Sequence, residues 1–190
     1  MAFNETKSIL SSLIEDLSFT LNQIHHKNPL PTPNSVGENF FLVKENLLWC
    51  YYFNQCILNH LYQIKHKILA GAFNNKRHYL ESDLHLTSTI LDFIIQNQKP
   101  ENLEPYFSIK KINEILRNQL TSFQELLHYF PEDMAVNYKQ APQEFTAISL
   151  DFYQFIHLAL LHCQSQLRTI ELITKINKIG SIETSKNILT

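Results

Sequence analysis

The chain has 190 residues, which is enough for one domain with a full hydrophobic core and too few for two of ordinary size. Hydrophobic residues make up 44% of the sequence, which excludes a chain that is disordered by composition. The formal net charge of −2 gives no global attraction to nucleic acid or to an anionic membrane, so neither is expected as a partner.

The numbers of glycines and cysteines indicate the fold class and the redox environment of the chain. The chain has three glycines, whereas hairpin-rich β folds use glycine in their turns, so the composition favours long helices with few connections. It also has three cysteines, of which Cys50 and Cys56 lie too far apart on one predicted helix to form a disulfide. A disulfide framework is therefore not expected, and we expect a reducing, cytoplasmic compartment.

The first two predicted helices have the clearest apolar periodicity. The first runs from about Asn4 to His26 and ends before a Pro-rich stretch. The second begins at a capping-box spacing, with Ser35 as N-cap and Glu38 three residues later, and Gly71 is its expected stop. Its apolar positions alternate in steps of four and three, with Asn54 as the one polar exception.

Three further helices are predicted, at about 84–98, 108–129 and 142–178. The last is expected to use Pro142 in its first turn, with Ile148 on its apolar stripe. Long helices with short links form antiparallel neighbours, so we predict an all-α, up-down four-helix bundle with one additional short helix. Residues 1–180 would form the single domain, and 181–190 a flexible C-terminal tail.

Sequence motifs for common chemistries are missing from the chain. It has no P-loop, dinucleotide fingerprint, nucleophile elbow, Cys-x-x-Cys or His-Glu-x-x-His sequence. Nine histidines invite a metal hypothesis, but His157 and His162 are five residues apart and diverge by about 140° around a helix. On the predicted stripe of the last helix, His162 and Gln166 either line an internal polar pocket or bond to each other.

Two stretches of the sequence resemble the DinB/YfiT-like family of four-helix bundle proteins. Residues 35–42, Ser-Val-Gly-Glu-Asn-Phe-Phe-Leu, are similar to the Ser-Ile-Gly-Glu/Gln-His start of that family's second helix. Residues 71–83 carry a Gly, Asn, Lys-Arg and Glu-x-Asp series like one found in a branch of the family. Residues 153–161, Tyr-Gln-Phe-Ile-His-Leu-Ala-Leu-Leu, are similar to the His-x-x-His-His-x-Ala-Leu segment of its last helix.

The resemblance implies a divalent metal held by one histidine of helix two and two of the last helix. Here the helix-two positions are Asn39 and Leu42, and the last-helix positions are Tyr153 and His157. One imidazole cannot supply the three protein ligands that a catalytic zinc-type site needs. The alternative alignment of the last helix retains His162, with Cys163 and Ala159 in the other places.

We therefore expect a cavity between the second and last helices from which the metal ligands are missing. The predicted cavity residues are Asn39, Leu42, Tyr153, His157 and His162, with Arg77 and Glu81 at its rim. No cofactor is predicted. If the site has been rebuilt, His157 would join His25 or His26 around Zn²⁺ or Ni²⁺.

Three functions follow from these expectations. The first is a non-enzymatic binding or assembly module on a DinB-like scaffold. The second is a divalent-metal-dependent enzyme that resembles the family's thiol transferases or hydrolases and has a reorganised site. The third is a helical adaptor whose aromatic surface, Phe40-Phe41 and Trp49 to Phe53, docks a partner protein or a second copy of the chain, unless these rings fill its own core.

Overall fold

The chain is mostly helical, as its composition and periodicity predict. The computed structural model describes residues 3–27, 37–71, 82–97, 107–130, 132–141 and 148–187. In these ranges the helices are α1 (Phe3–Lys27), α2 (Gly37–Leu69), α3 (Leu84–Asn97), α4 (Ile109–Tyr129), α5 (Glu132–Asn137) and α6 (Phe152–Asn187). Two short strands, β1 (Lys139–Gln140) and β2 (Leu150–Asp151), pair antiparallel. No helix in the described part of the chain is long and apolar enough to cross a bilayer.

Helices α1 to α4 lie within one or two residues of their predicted bounds, because their end signals are local. Gly71 follows α2 with φ of 73°, a left-handed conformation that glycine adopts without a Cβ penalty. Ser108 is the N-cap of α4, and its hydroxyl accepts a hydrogen bond from the backbone N–H of Lys111. The predicted N-cap of α2, Ser35, lies outside the described residues.

The predicted start of the last helix near Pro142 was wrong. The helix begins ten residues later, at Phe152, and β2 lies immediately before it, while Ile148 is exposed rather than part of an apolar stripe. The cause is a second capping box. The Asp151 carboxylate accepts from the backbone N–H of Gln154 at 2.9 Å, and the Gln154 side-chain oxygen accepts from the N–H of Asp151 at 2.9 Å. The helix also continues beyond the predicted end at Lys178, to Asn187.

Contacts between side chains give the directions of the helices flanking α4. Lys7 donates to the Phe130 carbonyl at 3.3 Å and Gln124 donates to Ser11 at 3.3 Å, so α1 and α4 are antiparallel. Gln119 donates to the Tyr51 carbonyl at 3.2 Å, and the Lys65 ammonium lies 3.5 Å from the centre of the Tyr129 ring. From the first of these two contacts to the second, the residue number rises in α2 and also in α4, so α2 and α4 are parallel.

Helix α6 is antiparallel to α2 and parallel to α3. His60 stacks on Phe155 with ring centroids 5.6 Å apart, and Phe53 stacks on His162 at 4.2 Å. At the start of α3, the Gln154 amide donates to the Asp83 carbonyl at 2.7 Å. The four long helices therefore do not alternate simply, since α2 and α4 run the same way. The helix direction alternates from α1 to α6 only when the short helix α3 is included between α2 and α4.

The first part of α6 lies at the centre of the molecule. Residues 151–160 are all buried, ten in succession, and α6 packs against α1, α2 and α3. A helix buried on every side must satisfy its polar side chains inside the protein. Asp151 does so with Ser82, whose hydroxyl donates to the carboxylate at 2.9 Å, and Gln154 does so with Asp83. These bonds join the start of α3 to the start of α6.

The buried Asp151 carboxyl makes stability depend on pH. Burial raises its pKa from 3.8 to about 6, although the bonds from Gln154 and Ser82 and the charge of Lys139 oppose this. The native state then binds the proton more tightly than the unfolded chain. This contribution to stability is fully present below about pH 4 and is lost as pH rises through about 6, and two pKa units correspond to about 3 kcal/mol.

We expect Asp151→Asn to remove this pH dependence. The amide oxygen can still accept from Gln154 and Ser82, but no charge has to be buried. Between pH 4 and pH 7, the free energy of unfolding of the wild type should fall relative to the variant by about 3 kcal/mol. Urea unfolding at several pH values measures this difference. Asp83→Asn, at an exposed carboxylate that caps α3, is the control and should keep the wild-type fall. Parallel curves for wild type and Asp151→Asn would contradict the assignment.

Candidate functional site

The predicted cavity residues occupy separate places in the structure. Tyr153 and His157 lie in the buried first part of α6, whereas Leu42 lies near the start of α2 and is 42% exposed. Asn39 is in the first turn of α2, but its side chain is outside the described residues, as are the side chains of His25 and His26 in α1. Arg77 and Glu81, the predicted rim, also lie outside the described residues.

Distances along α2 show that these residues do not share a cavity. The stacked pair His60 and Phe155 marks the level on α2 that faces the start of α6. Leu42 precedes His60 by 18 residues, which is about 27 Å along a helix at about 1.5 Å per residue. Asn39 is one turn further away. The predicted meeting of helix-two positions with Tyr153 and His157 is therefore not formed.

In the alternative metal site, His25 and His26 are also too far along their helix from the level of His157. The part of α1 that faces His157 extends from Ser8 to Asp16. His25 follows Asp16 by nine residues, about 14 Å further along the axis. The described residues also contain no group of three or more His, Cys, Asp or Glu side chains placed to hold a metal ion.

His162 lies in a closed aromatic environment in the core. Its ring stacks on Phe53 with centroids 4.2 Å apart and meets the edge of Trp49 at 4.7 Å. Neither ring nitrogen has a hydrogen-bond partner among the described residues. Burial lowers the pKa of His162 to about 3, so the ring is neutral throughout the physiological range. Trp49 and Phe53 thus belong to the core, while Phe41 is 66% exposed at the start of α2.

His157 has a defined hydrogen-bond partner on α3. Its Nδ1 contacts the Thr87 hydroxyl, and that hydroxyl donates its proton to the Leu84 carbonyl at 2.6 Å. Because a hydroxyl has one proton, the contact with His157 requires Nδ1 to be the donor. The neutral imidazole then has its lone pair on Nε2. Burial lowers the pKa of His157, and this neutral form is the one present at pH 7.

His157 also lines a cleft between α1 and α6. The cleft has a volume of about 470 Å³. Its apolar walls come from Ile9 and Leu13 on α1 and Leu161 on α6, and its polar groups are Ser8, Ser12, Asp16 and His157. The α1 residues fall on two adjacent rows of one helix face, Ser8-Ser12-Asp16 and Ile9-Leu13, at the spacing of four that the helix imposes.

The polar groups of the cleft are suited to hydrogen bonding with a ligand and do not form a catalytic arrangement. Serine, histidine and aspartate occur together in it, yet His157 is oriented by Thr87 and not by a carboxylate. The lining residues lie inside α1 and α6, where backbone N–H groups are used by the helices themselves. No backbone donor is left to stabilise an oxyanion, which acyl transfer requires. The arrangement can bind a ligand by polar and apolar contacts.

Sequence reasoning found His157 but missed its partners. Asp16, Ser8 and Ser12 look like an ordinary solvent-facing row of α1, and only the packing of α6 beside it turns that row into a wall of a cleft. Thr87 is 70 residues from His157 in sequence. The capping box Asp151-x-x-Gln154 was visible in the sequence as an acceptor residue followed three positions later by glutamine.

Comparison with known proteins gave no match to a family model, to a curated protein or to a solved structure. The resemblance to the DinB/YfiT-like family therefore stays a prediction from the quoted residues.

Thr87→Val should destabilise the protein through His157. Valine has nearly the shape of threonine but cannot accept the Nδ1 proton, so a buried donor loses its partner. We expect the free energy of unfolding at pH 7.5 to fall by about 1–3 kcal/mol, measured by urea unfolding. Thr87→Ser retains the hydroxyl and should lose clearly less. Equal losses in both variants would mean that the methyl group, and not the hydrogen bond, matters at this position.

His162→Phe should stabilise the protein, most strongly in acid. The phenyl ring can stack on Phe53 without burying two ring nitrogens, so we expect a gain of about 1 kcal/mol at pH 7. A folded pKa of about 3 against the ordinary 6.5 means that the stability contributed by neutral His162 is present above pH 6.5 and is lost as pH falls towards 3. The advantage of the variant should therefore grow by several kcal/mol between pH 7 and pH 4.

Thermal unfolding followed by circular dichroism over this pH range measures that growth. His66→Phe changes an exposed histidine on α2 and is the matched control. It should follow the wild-type pH dependence. A loss of stability in His162→Phe at every pH would show that the imidazole nitrogens of His162 have a stabilising partner.

Proposed function

We propose that this protein is a non-enzymatic binding module whose ligand site is the cleft between α1 and α6. The observation that carries the proposal is the cleft itself, where apolar walls and four polar side chains from two helices border about 470 Å³. Ligand sites typically combine a mostly apolar lining with a few fixed polar groups. Here the most buried of those groups, His157, is held in one tautomer by Thr87.

The geometry favours binding over metal-dependent catalysis. Leu42, one of the ligand positions that the DinB resemblance implies, lies about 27 Å along α2 from the level of His60, which faces the start of α6. The nearest histidines of α1 are also too far along their helix to join His157. What remains in the cleft is one oriented imidazole and one carboxylate, which can select a ligand.

We propose further that the scaffold is a DinB-like four-helix bundle. Helices α1, α2, α4 and α6 would be its four long members, with α3 as the additional short helix. The succession of long helices and the central position of the last one support this assignment, as do the quoted stretches at residues 35–42 and 153–161. The role of the scaffold would be to hold α1 and α6 at a fixed spacing around the cleft.

Ser12→Trp tests the cleft as a ligand site. Ser12 is exposed and lines the cleft, so an indole there should block it without disturbing the core. In a screen of small organic compounds by amide chemical-shift mapping, compounds that shift His157 and Leu161 should bind the wild type and lose their effect in the variant. Glu15→Trp, exposed on the same helix but outside the cleft, should retain binding.

Two results would contradict the proposal. The first is a screen in which no compound shifts the residues of the cleft in the wild type. The second is stoichiometric Zn²⁺ or Ni²⁺ in protein purified without added metal, measured by elemental analysis, because it would favour the metal-dependent enzyme over a binding module.

A further inference from the structure

The polar side of the cleft combines two serine hydroxyls, Ser8 and Ser12, which both donate and accept hydrogen bonds, with acceptors that include a negative charge. Asp16 is the one charged side chain among the residues that line it. His157 adds a second acceptor, since its proton lies on Nδ1 and its lone pair on Nε2. We infer that the ligand of this cleft is a primary ammonium compound with a short apolar chain, an inference that rests on the proposed binding function.

The hydrogen bond between His157 and Thr87 of α3 determines which ring nitrogen of His157 carries the proton. Thr87 cannot give its proton to the imidazole because it already donates to the Leu84 carbonyl at 2.6 Å. Nδ1–H therefore points to Thr87, and Nε2 lies on the part of the ring away from that bond. A neutral imidazole fixed in this way accepts a hydrogen bond from a ligand and offers it none in return. An ammonium group is the matching partner because it has three donors and no acceptor.

The charge of the cleft also favours a cation. No lysine or arginine of the described residues lines it. Lys7, which is adjacent to Ser8 in sequence, donates to the Phe130 carbonyl at 3.3 Å and so extends towards the end of α4. Within the described ranges, the Asp16 carboxylate thus meets no neutralising side chain among the residues that line the cleft. A carboxylate or phosphate ligand would be repelled, and a neutral alcohol would gain no charge-assisted hydrogen bond.

The apolar walls of the cleft determine the part of the ligand that is not charged. Ile9 and Leu13 face the chain from α1, and Leu161 faces it from α6, one turn after His157. Ile9 is 46% exposed, so covering it with an alkyl chain removes apolar surface from water. A ligand with its ammonium at the Asp16 carboxylate and its hydrocarbon along these three side chains would match both parts of the cleft. The volume of about 470 Å³ accommodates a six-carbon chain.

A set of three probes of one length tests the inference. Hexylamine, 1-hexanol and hexanoate share the alkyl chain and differ in charge and in donor capacity. Each is titrated at pH 7.5 and low ionic strength into the full chain, and binding is followed by amide chemical shifts of the α1 and α6 residues of the cleft. We expect hexylamine to bind at least tenfold more tightly than 1-hexanol, with hexanoate the weakest.

Variants assign that preference to the cleft. Asp16→Asn removes the charge at an exposed position and should reduce the preference for hexylamine over 1-hexanol to less than threefold. Glu15→Gln removes the same charge one residue away and outside the cleft. It should leave the preference intact, which separates local contact with Asp16 from the effect of net charge.

The outcomes distinguish the two proposals. Equal binding of hexylamine and 1-hexanol at the cleft, or tighter binding of hexanoate, would overturn the ammonium inference and leave the binding function standing. A preference for hexylamine that Glu15→Gln reduces as much as Asp16→Asn does would also overturn it. If none of the three probes, and no compound of the wider screen, shifts the residues of the cleft, both proposals fail.

Discussion

The structure depends on the burial of residues 151–160, which are Asp151 and the first nine residues of α6. Helices α1, α2 and α3 all pack on α6, and every residue from 151 to 160 is buried. Apolar residues gain from that burial, but a polar residue in the same segment is tolerated only when a partner satisfies it. Asp151, Gln154 and His157 meet this condition with Ser82, Asp83 and Thr87, all of which belong to the start of α3 or the two residues before it. The polar bonds of this segment thus join α6 to the start of α3.

Two histidines five residues apart on α6 have different surroundings and different hydrogen-bond partners because they lie on different sides of the helix. His157 lies between the Thr87 hydroxyl and the cleft, with Nδ1 bonded to that hydroxyl and the lone pair on Nε2. His162 points about 140° away and lies among aromatic rings, where neither nitrogen has a partner in the described residues. Both are neutral at pH 7 because burial lowers their pKa. Asp151 responds to burial in the opposite direction, so its titration and that of His162 change stability with opposite sign in the same pH range.

Much of the fold was predictable from local signals, and much of the site was not. The periodicity of α1, α2 and α4 and the Gly71 stop require only neighbours in sequence, and the structure agrees with each of them. The late start of α6 is also encoded locally, by the capping box at Asp151, but Pro142 is a competing start signal and predicts the wrong first turn. The family resemblance placed Asn39 and Leu42 with His157, and the direction and length of α2 put them at different levels of the molecule.

The sequence by itself determined that the chain is helical, where most of its helices begin and end, and that the common catalytic motifs are missing, because these properties depend on spacing along the chain. Tertiary structure alone decided which polar residues meet. Thr87 and His157 are 70 residues apart, and the row Ser8-Ser12-Asp16 resembles any solvent-exposed side of a helix until α6 packs beside it. A helical pattern specifies the direction of each side chain relative to its own axis. The partner that the side chain meets depends on how the helices pack together.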